Sequence, residues 1–209
     1  MRRTGWRTAL AALVALAGAA LPPAALATEP APAPVQRLRA TVVSLAGYDL
    51  ALATGTRTVL VTLGPDYGVT ALVAAAPEAV AAGRFAGAVA VRDARGTLRA
   101  REIHLIPEKW RGGPEGERPY DLGPGSVVVT GTVEQGLAGG TGGVVTLTHP
   151  GGVSAVVVRA GTPVVTLAPG RRAMLVPGAQ VVVEAGRDAA GRLRADHLMV
   201  GVDGLVPGI

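Results

Sequence analysis

The stretch RDARGTLRAREIHLI, residues 92–106, returns as RDAAGRLRADHLMVG, residues 187–201, at a constant offset of 95 (187 − 92). Each copy places a glycine, Gly96 or Gly191, between two apolar runs, with an Asp three residues earlier. Glycine accepts the positive φ that tight hairpins need, so each copy is predicted to be a β-hairpin. Leu98 and Ala100 alternate with Arg99 and Arg101, after which the apolar positions shift phase to Ile103 and Leu105; the second copy shifts at the same place. A one-residue phase change predicts either a β-bulge or a strand buried on both faces.

The offset extends upstream without a gap. Val69–Leu72 falls on Val164–Leu167, and Gly83 falls on Gly178. Thr41-Val42 matches Thr132-Val133 if the second copy carries four extra residues, which LAGGTGG supplies as a longer loop. Between these anchors, short alternating runs such as RLRATVVSL, TVLVTL, AGAVAVRD, SVVVTGTVEQ and VSAVVVRA are bounded by Gly, Pro or Asp. That pattern predicts an all-β chain of two tandem, small OB-like β-barrels. The first is expected over 35–106 and the second over 127–203, with a linker over 107–126 and a tail over 204–209. AAPEAVAAG, residues 75–83, with Pro77 early and Gly83 at its end, predicts one short helix. Its counterpart PGRRAMLVPG, residues 169–178, reads as a turn.

Arg2, Arg3 and Arg7 precede an Ala/Leu/Val run from Thr8 to Leu21, then Pro22-Pro23 and Ala25-Leu26-Ala27. This is the order of a cleavable signal peptide over 1–27, shorter than a membrane span and ended by prolines. TEPAPAP, residues 28–34, reads as an extended tether. An exported protein, periplasmic or extracellular and without a membrane span after cleavage, is therefore expected. Removing residues 1–27 takes three arginines and no acid, leaving 17 basic against 15 acidic side chains, a net +2.

Near-neutral charge and few aromatics argue against nucleic acid as a partner. The chain has no cysteine, hence no disulfide or thiolate metal site. No Gly-x-Ser-x-Gly elbow, phosphate loop or dinucleotide fingerprint is present, and the candidate serines are Ser44, Ser126 and Ser154. A non-enzymatic role without a cofactor is expected.

Two groups of residues could carry binding. The linker PEKWRGGPEGERPYDLGPGS supplies Trp110, Arg111, Glu115, Glu117, Arg118, Tyr120 and Asp121. It reads either as an interaction loop for an envelope protein or glycan, or as a strap with Trp110 and Tyr120 packed between the barrels. The alternative is a divalent-metal site built from His104, His197, Glu102 and Asp196, which requires the two histidines to converge. His149 lies in a Pro-Gly-Gly turn with no acidic neighbour.

The pattern TVVSLAGYDLAL…TVLVTLGPDYGVTAL…AAGRFAGAVAVRDARGTLRAREIHLIPE, with the joining segment RGGPEGERPYDLGPGS, resembles uncharacterised exported bacterial proteins built of small β-barrel repeats, a domain of unknown function. The resemblance covers nearly all of residues 37–206 and implies the barrel architecture and export, with no activity attached. Glu117 and Tyr120 stand where that pattern tends to have His and Trp, and Val127-Val128-Val129 where it is more polar.

Overall fold

The computed structural model describes residues 35–139 and 142–208; the leader and tether expected over 1–34 lie outside the described residues. The chain is all-β, with twelve strands among the described residues. These are β1 (Gln36–Ala46), β2 (Asp49–Thr54), β3 (Arg57–Ala74), β4 (Phe85–Arg92), β5 (Leu98–Leu105) and β6 (Gly116–Pro119), followed by β7 (Ser126–Gln135), β8 (Gly142–His149), β9 (Gly152–Arg159), β10 (Val164–Pro169), β11 (Gln180–Arg187) and β12 (Leu193–Gly201).

β1, β2, β3, β12 and β11 form a closed five-stranded barrel, with β3 parallel to β12 and the other contacts antiparallel. Its interior is filled by Val42, Leu50, Leu52, Val61, Leu63, Val181, Val183, Leu198 and Val200. β4, β5, β9, β8 and β7 pair in a second five-strand cycle around Ala86, Ala88, Ala90, Ile103, Leu105, Val129 and Leu147. That cycle closes through two parallel pairs only, Leu98–Val156 and Arg99–Val157. β10 joins the two cycles, antiparallel to β3 and parallel to β5.

The expected division into one barrel over 35–106 and another over 127–203 does not survive this pairing. β4 and β5 close with β7–β9, while β11 and β12 close with β1–β3. The reason lies in β3, whose 18 residues outrun the first barrel. Its last residues pair with β10, so the chain emerges against the second cycle and β4 starts there.

The predicted helix over 75–83 is a single 3₁₀ turn, Pro77–Ala79. It stops because the peptide groups that would continue it are used elsewhere. The Val80 carbonyl accepts from Leu137 N–H, and Gly83, at φ +81°, donates to the Val133 carbonyl. The counterpart segment likewise holds one 3₁₀ turn, Arg172–Met174, and Gly178 donates to the Val42 carbonyl.

Both predicted hairpins are present. The Asp93 and Asp188 carboxylates cap the turns, each accepting two backbone N–H bonds at 2.9–3.0 Å. The phase change is a register shift: β4 and β5 pair Val89 with Glu102 and Ala90 with Ala100, leaving Arg101 as the extra residue. β12 shifts against β3 between Ala195 and His197. Beyond its bulge, β5 is also buried on both faces, from Glu102 to Leu105.

Candidate functional site

Between the two strand cycles lies a third apolar cluster, Leu72, Val89, Val165 and Val182, with Tyr120, Val128, Leu167, Met199 and Leu205 packed on it. β4 explains how this layer forms. Its alanines point into the second cycle, while Val89 faces outward across the layer. Small residues suit a strand crowded on both faces.

Beside this cluster opens a cavity of about 500 Å³. Its apolar walls include Val89, Ile106, Val128, Leu167 and Met199, and its polar lining includes Arg37, His104, Arg118, Tyr120, Asp121, Thr130 and Glu184. The space follows from one row of paired residues, Gly116–Thr130–Gly87–His104, which runs across β6, β7, β4 and β5. Paired residues share a sheet face, and Gly87 contributes no side chain to it.

His104 is held at the cavity by a buried partner. Its Nε2 lies 2.6 Å from Glu102 Oε1, and both side chains are buried. The other Glu102 oxygen accepts the Gly208 backbone N–H at 2.6 Å, so the C-terminal segment seals the carboxylate. With Nε2 on the carboxylate, the His104 ring lines the cavity, and its Nδ1 lies 3.7 Å from where a Gly87 Cβ would stand.

Tyr120 and Asp121 tie the linker to β1. Asp121 accepts from Arg39 at 2.7 and 2.9 Å and from Arg37 at 3.0 Å. Arg37 also pairs with Glu184 and stacks over the Tyr120 ring, 4.5 Å from its centroid. These bonds hold the Asp121 carboxyl at about 2, Arg39 contributing most. Burial pushes the Tyr120 hydroxyl up, against the pull of Arg37 and Arg39. Like Arg37 and Arg39, Arg118 has a buried Nε without a hydrogen-bond partner, but unlike them it enters no ion pair among the described residues.

The rest of the linker lies elsewhere. Trp110, expected to clamp the barrels together with Tyr120, ends a 3₁₀ turn at Glu108–Trp110 beside Lys109 and outside the cavity lining. Arg111 covers the Phe85 ring at 4.4 Å and bonds Glu108 and Glu115. Glu117 pairs with Arg92. What read as an irregular strap contains β6, antiparallel to β7. Its alternation was hidden because Pro and Gly bracket only four strand residues.

The four residues of the metal alternative divide into two places. Glu102 and His104 pair with each other. His197 bonds the Thr70 hydroxyl at 2.9 Å, and burial lowers its pKa, opposed by Glu184. Asp196 packs over the bare backbone of Gly64. Among the described residues, no group of three or more His, Cys, Asp or Glu side chains comes together as a metal site.

Of the serines, Ser126 donates to the Tyr120 and Gly123 carbonyls. Ser154 meets His149 Nε2 at 3.0 Å across the β8–β9 hairpin. No helix among the described residues is long and apolar enough to cross a membrane. Comparison with protein-family models, curated proteins and solved structures finds no match.

Proposed function

We propose that this chain is an exported, non-catalytic binding module of the bacterial envelope or the extracellular space, and that its site is the cavity between the strand cycles. The observation that carries the reading is the half-polar cavity itself, in which Arg118 enters no ion pair among the described residues while the lining residues Arg37, Asp121 and Glu184 are all engaged in ion pairs. Cavities of roughly 300–1,000 Å³ with apolar walls and a few convergent polar groups are the usual form of ligand sites. The leader-like order of residues 1–27 and the resemblance to exported small-barrel proteins support export.

We read the architecture as a duplicated OB-like unit whose two copies have exchanged their last two strands. Supporting this, Leu72 pairs with Leu167, its own counterpart at the offset of 95 (167 − 72). The parallel pair Val61–Leu193 likewise maps onto Val156–Leu98. A metal-binding role is not carried forward, since Glu102 has both oxygens engaged and His197 lies with Thr70.

Native mass spectrometry of the protein purified from an exporting host, starting from the full precursor, tests the function. The expected result is a mature chain beginning at Thr28 with a small-molecule adduct that is lost in Gly87→Val. A bare mass under conditions that preserve non-covalent complexes overturns the site.

A further inference from the structure

Resting on the cavity as the binding site, we infer that its ligand is a small amphipathic carboxylic acid, with its carboxylate on Arg118 and its hydrocarbon part on Val89, Val128, Leu167 and Met199. The argument is one of leftover chemistry. The two acids in the lining, Asp121 and Glu184, are spent on β1 arginines: Asp121 on Arg37 and Arg39, Glu184 on Arg37. Arg118 is the lining cation left without a counter-charge, and part of its guanidinium is already out of water. A desolvated guanidinium without a partner costs free energy that a carboxylate recovers through charge-assisted, bidentate bonds. A cationic ligand would meet Arg118 without a free acid to offset it.

Comparison across the offset of 95 shows why the pocket exists on one side only. The counterpart of Gly87 is Val182 (87 + 95), which fills the apolar layer. The counterpart of His104 is Met199 (104 + 95), apolar as well. One copy therefore packs this position with hydrocarbon, while the other replaces a side chain with space and a thioether with an imidazole. Gly87 is not at a positive φ, and a Cβ built there meets His104, Thr130 and Val129 atoms at 3.7 Å, ordinary contact. Backbone geometry thus does not demand glycine at this position; the open space is what glycine provides. The apolar wall and the volume suit a ligand of about eight to twelve non-hydrogen atoms, on which an anionic head gives orientation.

Isothermal titration of the full chain with octanoate and, separately, octylammonium at neutral pH provides the test. Octanoate is expected to bind at least tenfold more tightly than octylammonium. Arg118→Gln, which breaks no ion pair, is expected to weaken octanoate about tenfold. Gly87→Val, the residue of the other copy, is expected to abolish binding with an unchanged circular-dichroism spectrum and melting temperature. Equal binding of the two probes that Gly87→Val still blocks overturns the carboxylate and leaves the cavity as the site. Failure of octanoate to bind at millimolar concentration, or indifference to Arg118→Gln, also overturns the carboxylate. The co-purified adduct decides the site separately.

Discussion

Asp121 sits where a linker side chain holds down a barrel strand, and its chemistry makes the contact sensitive to acid. Three bonds from Arg37 and Arg39 hold its carboxyl at about 2, below the ordinary 3.8. A depressed carboxyl stabilises the fold fully above its unfolded value, and that contribution is lost as pH falls toward the folded one. His197 acts in the same direction at higher pH, because burial disfavours its charged form and the unfolded chain protonates first. Urea-unfolding stability is therefore expected to fall gently below pH ~6.5, then further between pH ~4 and ~2. Asp121→Asn is expected to remove the lower step and to cost about 1 kcal/mol at neutral pH, a figure reduced because the carboxylate is 39% exposed. A variant with an unchanged acid profile would place the step elsewhere. At this scale the sequence was partly readable. Tyr120, Asp121 and Arg118 stood out as polar groups in a plain chain, whereas Gly87 did not. A glycine inside an alternating run reads as a weak strand position, and its meaning depends on what faces it across three other strands.

The hairpins were the most legible elements, because the signal for each is local. Gly96 and Gly191 have φ of +82° and +77°, and each closes a loop capped by an aspartate. A side chain there must adopt a left-handed conformation, so Gly96→Ala and Gly191→Ala are each expected to cost about 1–2 kcal/mol in chemical denaturation. Alanine at Gly186, which has no positive φ and no neighbour within 4 Å, should be close to neutral. A similar loss at all three would point to something other than backbone strain. The bulges were readable for the same reason, as a phase change within one strand. The helix at 75–83 was not: its proline and glycine fit a helix, but Val80 and Gly83 bond to β7 and its following loop. β6 was missed because its partner strand, not its own pattern, makes it a strand.

For the whole molecule, class and periodicity were legible and connectivity was not. The two copies of the hairpin look alike wherever their strands close, so sequence alone cannot tell strands that return to their own copy from strands that cross. The pairings make a physical distinction. With β4 and β5 closed against β7–β9, and β11 and β12 against β1–β3, the stretches before and after the linker are held together by both cycles. A protease site introduced at Gly112-Gly113, both exposed with open space around them, should therefore give two fragments that co-elute under native conditions and separate only in denaturant. Tandem, self-contained barrels joined by a linker would come apart on a sizing column once cut.

The pairing of early strands with late ones also sets a timetable. The second cycle occupies one unbroken stretch from β4 to β9, whereas the first must hold β1–β3 open until β11 and β12 arrive. Contacts between distant residues form slowly because the intervening loop must close first. For a chain that emerges from its N-terminus, the strands that come out first are the last to be sealed. Their edges stay unpaired while the inner cycle forms, which is the interval in which a companion protein or another copy of the chain could intercept them.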